Sequence, residues 1–210
     1  MRKFHNGLKF YFAFIVFIFS TTQRIFSQDI ADPELRKELL KRVDQDQAIR
    51  NDWIKKGVTK ADKTIIDRMV SIDKDNTEWL KTVIQKKGWP SNKLVGKEGS
   101  QAAWLIIQHA DLEFQKQMLP LVESSYKSGD LPGSDYALLL DRVLVGEGKP
   151  QIYGTQAEDF NKWEGEEPVM KPVADEANVD KRRAEVGLPP LYEYKTQLKY
   201  IYFPKEQKKP

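Results

Sequence analysis

The stretch Gln101–Asp111, QAAWLIIQHAD, decides how the chain is read. Its first part runs through six apolar residues, Ala102 to Ile107, without a polar break. Such a run is too broad for one stripe of a surface helix and lacks the alternation of a half-buried strand. It predicts a helix in the middle of a core. The run then ends on Gln108, His109 and Asp111. Three hydrogen-bonding side chains are thus delivered where water is scarce, and buried polar groups need partners.

Before this run, Asp32-Pro33-Glu34 opens a helix. Asp32 suits the cap, Pro33 the first helical position and Glu34 the positive helix end. Leu35, Leu39, Val43, Ile49 and Trp53 follow at roughly helical spacing, and Lys55-Lys56-Gly57 is a stop signal. Asp44, Gln45 and Arg50 read as a solvated face of this helix. Thr59 predicts the cap of a second helix reaching about Asp73, and Asn76-Thr77 the start of a third, ended by Lys86-Lys87-Gly88. Trp89-Pro90-Ser91 turns the chain, and Val95 to Gly99 reads as a loop leading into the central run.

After the run, Asp111 predicts the cap of a helix to about Ser128, with Pro120 expected to kink or interrupt it. Ser134 or Asp135 predicts the cap of the next, whose core is Tyr136 to Val145. Asp141 and Arg142 break that apolar stretch; each needs a partner, and one reading pairs them with each other. From Gly146 to Pro172 glycines, prolines and acidic residues end the helical texture. A helix from Asp175 or Asn178 and a last one near Leu191–Tyr200 complete the chain. Trp53, Trp79, Trp89 and Trp104 read as core. The expected fold is all-α, mainly helical, a single domain over 29–203, with a short irregular or extended segment around 150–172 and a disordered tail, 204–210.

The first 28 residues stand apart. Arg2, Lys3, His5 and Lys9 precede FYFAFIVFIFS, Phe10 to Ser20. A charged start followed by a short apolar segment is the pattern of a secretory signal peptide, and the segment is too short to span a membrane. Export to the periplasm or beyond is the expected localisation, with no stable membrane span after cleavage. The leader carries Arg2, Lys3, Lys9 and Arg24 and no acid, so the 34 basic residues against 31 acidic ones become a near balance without it. The electrostatic case for a nucleic-acid partner lapses with that excess. The chain has no cysteine. Disulfides, thiolate zinc sites and lipidated cysteines are excluded.

Several short motifs occur in order: Gly88-Trp89-Pro90-Ser91 with Val95-Gly96; Gln108-His109-Ala110-Asp111; Asp141-Arg142-Val143; Gln151 with Tyr153-Gly154-Thr155-Gln156; and Arg182-Arg183 followed by Gly187-Leu188-Pro189-Pro190-Leu191. In order and spacing they resemble a bacterial domain family of unknown function, over about residues 35–200. The resemblance implies that polar residues at His109, Arg142, Gln151, Tyr153, Gln156 and Arg183 belong to the family pattern. It implies no activity.

One reading gathers these groups in a cleft. His109 follows the leader as the sole histidine and has the side chain suited to acid–base work near neutrality, so it is the candidate catalytic residue. Arg142 and Arg183 would hold an anionic group, since a guanidinium fork matches phosphate or carboxylate. Gln151, Tyr153 and Gln156 would orient a polar substrate, with Gln108, Asp141, Thr155 and Arg182 beside them as further ligand-binding candidates. The expected partner is then a small anionic ligand. No metal and no cofactor is expected: phosphate-cradling glycine loops, GxSxG and HExxH are missing, and one histidine without cysteine makes a poor zinc site. The other reading is a non-catalytic cell-envelope interaction module whose polar motifs only lock the fold.

Overall fold

A computed structural model of the chain describes residues 30–60, 62–163 and 167–203. The expected leader and the tail from Pro204 lie outside the described residues. The fold is all-α, with no named strand among the described residues. Helix α1 spans Pro33–Lys56, α2 Lys63–Lys87, α3 Asn92–His109, α4 Leu112–Lys127, α5 Gly133–Gly146, α6 Val179–Glu185 and α7 Leu191–Tyr202.

The central run behaves as its composition predicts. Ala102, Ala103, Trp104, Ile106 and Ile107 are buried in α3, which packs against α1, α2 and α4. Leu39 of α1, Leu80 of α2, Val122 of α4 and Leu139 of α5 join it with no exposed surface. Burying such a side chain is worth about 1.5–3 kcal/mol, so this shared core is the main source of cohesion in a chain without disulfides.

The caps at the ends of α1 and α4 match the sequence. Asp32 accepts the Leu35 N–H at 3.0 Å, and Asp111 accepts that of Phe114 at 2.8 Å. Just upstream of α1, the N–H groups of Ala31 and Asp32 donate to the carbonyls of Lys93 and Leu94 at 3.2 and 2.8 Å, stitching the start of α1 to α3.

Four boundaries differ from expectation. The two helices expected over residues 59–87 are one, α2, capped by Asp62 rather than Thr59. Thr77 does not start a helix, because its hydroxyl bonds back to the Asp73 carbonyl at 2.7 Å, and Asn76 accepts from Arg42 of α1. Val95–Gly99 is not a loop. Helix α3 begins at Asn92, capped by Ser91, and breaks its regular dihedrals only at Gly96, φ +73°. A Cβ there would be strained and would come within 3.1 Å of Ile30. Pro120 does not interrupt α4; it sits on the exposed side, where water can satisfy the carbonyl it leaves free. Ser134 and Asp135 lie inside the first turn of α5, which starts at Gly133 after Pro132.

Beyond α5 the chain is irregular, as the texture of the sequence implies. Single bridges join Gln151 to Val173 and Ala157 to Met170, and a short 3-10 turn covers Phe160–Lys162. Of the tryptophans, Trp104 is buried and Trp79 and Trp89 pack on the core. Trp53 instead meets Phe160 and Tyr202 in an aromatic cluster that ties α1 to the irregular segment and α7.

Candidate functional site

The polar motifs fold into three separate arrangements. The first surrounds Asp141, a carboxylate of α5 with no exposed surface. It accepts the N–H groups of Ile152 (2.7 Å), Tyr153 (3.1 Å) and Thr155 (3.0 Å), and the Thr155 hydroxyl at 3.0 Å. Ionised acceptors make the stronger hydrogen bonds, and here they fix a whole turn of backbone. Gly154 lets that turn close, with φ +67° in the left-handed region. Gln151, also fully buried, uses its amide N–H₂ on the carbonyls of Gln156 and Lys171, and its Oε1 on the Gln156 N–H. Arg182 donates to the carbonyls of Ile152 and Ala174. Arg183, without exposed surface, donates to the carbonyls of Tyr153 and Pro189 at 2.6 Å each and lies over the Tyr194 ring at 4.8 Å. Asp141, Gln151, Arg182 and Arg183 thus spend most of their hydrogen-bonding capacity on main chain.

The second arrangement holds His109. Its Nδ1 stands 3.1 Å from Asp46 of α1, and its Nε2 accepts from Arg50 Nε at 3.3 Å. Arg50 also reaches Asp46 at 3.2 Å and Asp73 of α2 at 2.9 Å. With an arginine donating to Nε2, the imidazole is neutral and carries its proton on Nδ1, toward Asp46. Burial lowers the His109 pKa, against the pull of the Asp46 hydrogen bond. Burial pushes the Asp46 carboxyl up, but His109 and Arg50 outweigh it and hold that group low. Burial raises Asp73 despite Arg50. Arg50 was expected on a solvated face; it turns inward because two carboxylates wait there, while Asp44 and Gln45 are exposed.

Asp46, Asp73 and His109 offer ligand atoms within 4.8 Å of one another, a set suited to a cation. The guanidinium of Arg50 touches all three and supplies the positive charge itself. The groove beside His109, about 420 Å³, is lined by Asp73, Thr77 and Asp111 and is separate from the larger cavity.

That larger cavity, about 770 Å³, is the third arrangement. Arg142, Thr155 and Gln156 line it; His109, Gln108, Asp141, Gln151, Tyr153, Arg182 and Arg183 do not. The expected single cleft therefore does not form. Nor do Asp141 and Arg142 pair, since adjacent residues on a helix point about 100° apart. Arg142 instead donates Nε to Gln108 Oε1 at 2.8 Å. No carboxylate comes within ion-pair distance of Arg142 among the described residues. Burial depresses its pKa, and the rings of Tyr194 and Tyr202 stand beside it in the cavity wall.

A family model described as a family of unknown function, DUF6624, matches residues 33–206. The chain belongs to that family. No curated protein and no solved structure matches it. In this DUF6624 member the sequence reading missed Asp135, which lines the same cavity as Arg142. Asp135 is 5% exposed, and its Oδ2 has no hydrogen-bond partner. Burial pushes its carboxyl up to about 7, against the charge of Lys97 and the Ser134 hydroxyl. Its place near a helix start disguised it as a cap. The sequence signal was a second acid seven residues before Arg142, on the same side of α5.

Proposed function

We propose that this is an exported bacterial protein that binds, or acts on, a small anionic ligand in the cavity headed by Arg142. The observation that carries the reading is a half-buried guanidinium that faces a cavity of about 770 Å³ without a carboxylate partner. Leaving a desolvated cation unpaired is costly, and a ligand carboxylate or phosphate removes that cost. Gln156, Thr155 and the aromatic wall around Tyr194 suit a ligand with a polar edge and an apolar body. The leader pattern and the lack of cysteine support export.

The experiment is a thermal-shift screen of the protein, freed of its leader, against phosphate, sugar phosphates, amino acids and small peptides. A ligand selective for the folded state raises the midpoint. The reading requires that Arg142→Met abolish the rise while the variant keeps its helical circular dichroism. A rise that survives the substitution sinks it.

A second reading is a non-catalytic cell-envelope interaction module. It draws on the way Asp141, Gln151, Arg182 and Arg183 are consumed in holding main chain. It leaves the open guanidinium of Arg142 without a role.

A further inference from the structure

The cavity holds an acid and a base, Asp135 and Arg142, one toward each end of α5. Asp135, Leu138 and Arg142 follow at i, i+3 and i+7, one stripe of the helix, and all three line the cavity. Asp135 and Arg142 form no ion pair with each other, and neither has another ion-pair partner among the described residues. Lys97 acts on Asp135 by its charge from beyond ion-pair distance, and the Trp104 indole takes the Asp135 main-chain carbonyl, not the carboxyl.

Their separation can be bounded. Seven residues of α-helix rise about 10 Å. The backbone positions of Asp135 and Arg142 therefore stand about 10 Å apart along the helix, with Leu138 on the same stripe between them.

We propose that the ligand is an extended zwitterion, a peptide of two or three residues with free termini, its carboxylate on Arg142 and its ammonium on Asp135. This rests on the anion-binding reading above. A free amino acid carries both charges on one Cα and is too short. Each added residue extends a chain by about 3.3–3.6 Å, so two or three residues cover the span. The middle of the cavity fits the middle of a peptide. Gln156 reaches α5 at the Leu138 carbonyl, between the two charges, and its Oε1 accepts no hydrogen bond among the described residues. That oxygen is placed to take a peptide N–H. Phe160 and Trp163 offer apolar wall to the side chains. Of the other acids on the wall, Glu158 is paired with Lys162 and Lys171, and Asp159 is exposed at the rim.

The test is calorimetry of the whole chain after leader removal, with trialanine, N-acetyl-trialanine, trialanine amide, 6-aminohexanoate and alanine. Trialanine should bind, each blocked form about tenfold or more weakly, and alanine not measurably. In Asp135→Asn, trialanine and N-acetyl-trialanine should bind alike. If N-acetyl-trialanine binds the unaltered protein as well as trialanine does, the peptide assignment is overturned while anion binding stands. If 6-aminohexanoate equals trialanine, the zwitterion stands and the peptide falls. If no anion binds, phosphate included, the cavity reading itself is wrong.

Discussion

Asp141 and Arg142 are neighbours in sequence that never meet: the carboxylate holds the turn from Ile152 to Thr155, and the guanidinium reaches Gln108 on α3. The same dipeptide therefore serves two purposes. Asp141 assembles one wall of the cavity, and Arg142 gives that cavity its charge.

The two substitutions should separate accordingly. Asp141→Asn removes the charge and turns an amide toward N–H donors, a loss of about 3–5 kcal/mol. For a domain of this size that lowers the melting temperature on the order of 10 °C. Arg142→Met removes a desolvated cation with no carboxylate partner and should leave the midpoint unchanged or higher. Calorimetric scans of both variants check this; a larger drop for Arg142→Met contradicts the assignment.

Asp135 predicts a stability that depends on pH near neutrality. Its carboxyl rises from 3.8 to about 7 on folding, so the folded state favours the protonated form. The contribution is full below the unfolded value and is lost as pH rises through about 7. The loss is on the order of 4 kcal/mol. Urea unfolding between pH 4.5 and 8.5 should show the decline, and Asp135→Asn should flatten it.

His109 works in the opposite sense. Its pKa is lowered by burial, so its contribution is present above the unfolded value near 6.5 and lost as pH falls through the lower folded value. In an Asp135→Asn background, unfolding midpoints should drop on acidification below pH ~6. Adding His109→Gln should remove that limb at small cost at pH 7.5, because an amide can still accept from Arg50 and donate to Asp46. A loss of several kcal/mol at pH 7.5 would show that more than those two bonds is at stake.

Arg50 is the cation of its cluster. Arg50→Met leaves Asp46 and Asp73 without the cation they share, a cost of about 3–5 kcal/mol. It also frees the space between two carboxylates and an imidazole. Millimolar Mn²⁺ or Zn²⁺ should then raise the variant's midpoint and leave the unaltered protein's unmoved.

The helical core was legible because Ala102–Ile107 admits one physical reading, and burial of that run fixes what surrounds it. Caps at Asp32 and Asp111 were legible because capping is local. Thr77 misled because the same hydroxyl that caps a helix can bond back within one. Arg50 and Asp135 were illegible for a related reason: a charge on a helix reads as solvated until its distant partners, or the lack of them, are known. Gln151, Arg182 and Arg183 stood out as polar groups beside apolar sequence, but sequence cannot distinguish a side chain that waits for a ligand from one already claimed by its own main chain.

The two main-chain bonds from Ala31 and Asp32 to the first turn of α3 set a floor on trimming. An N-terminus generated upstream of Ile30 keeps both, together with the Asp32 cap and its bond from Lys87. One beginning at Pro33 would strip the cap from α1 and unpin the segment leading to Gly96. Any shortening of the chain from this end has to stop short of that seam, or the core helix loses its neighbour.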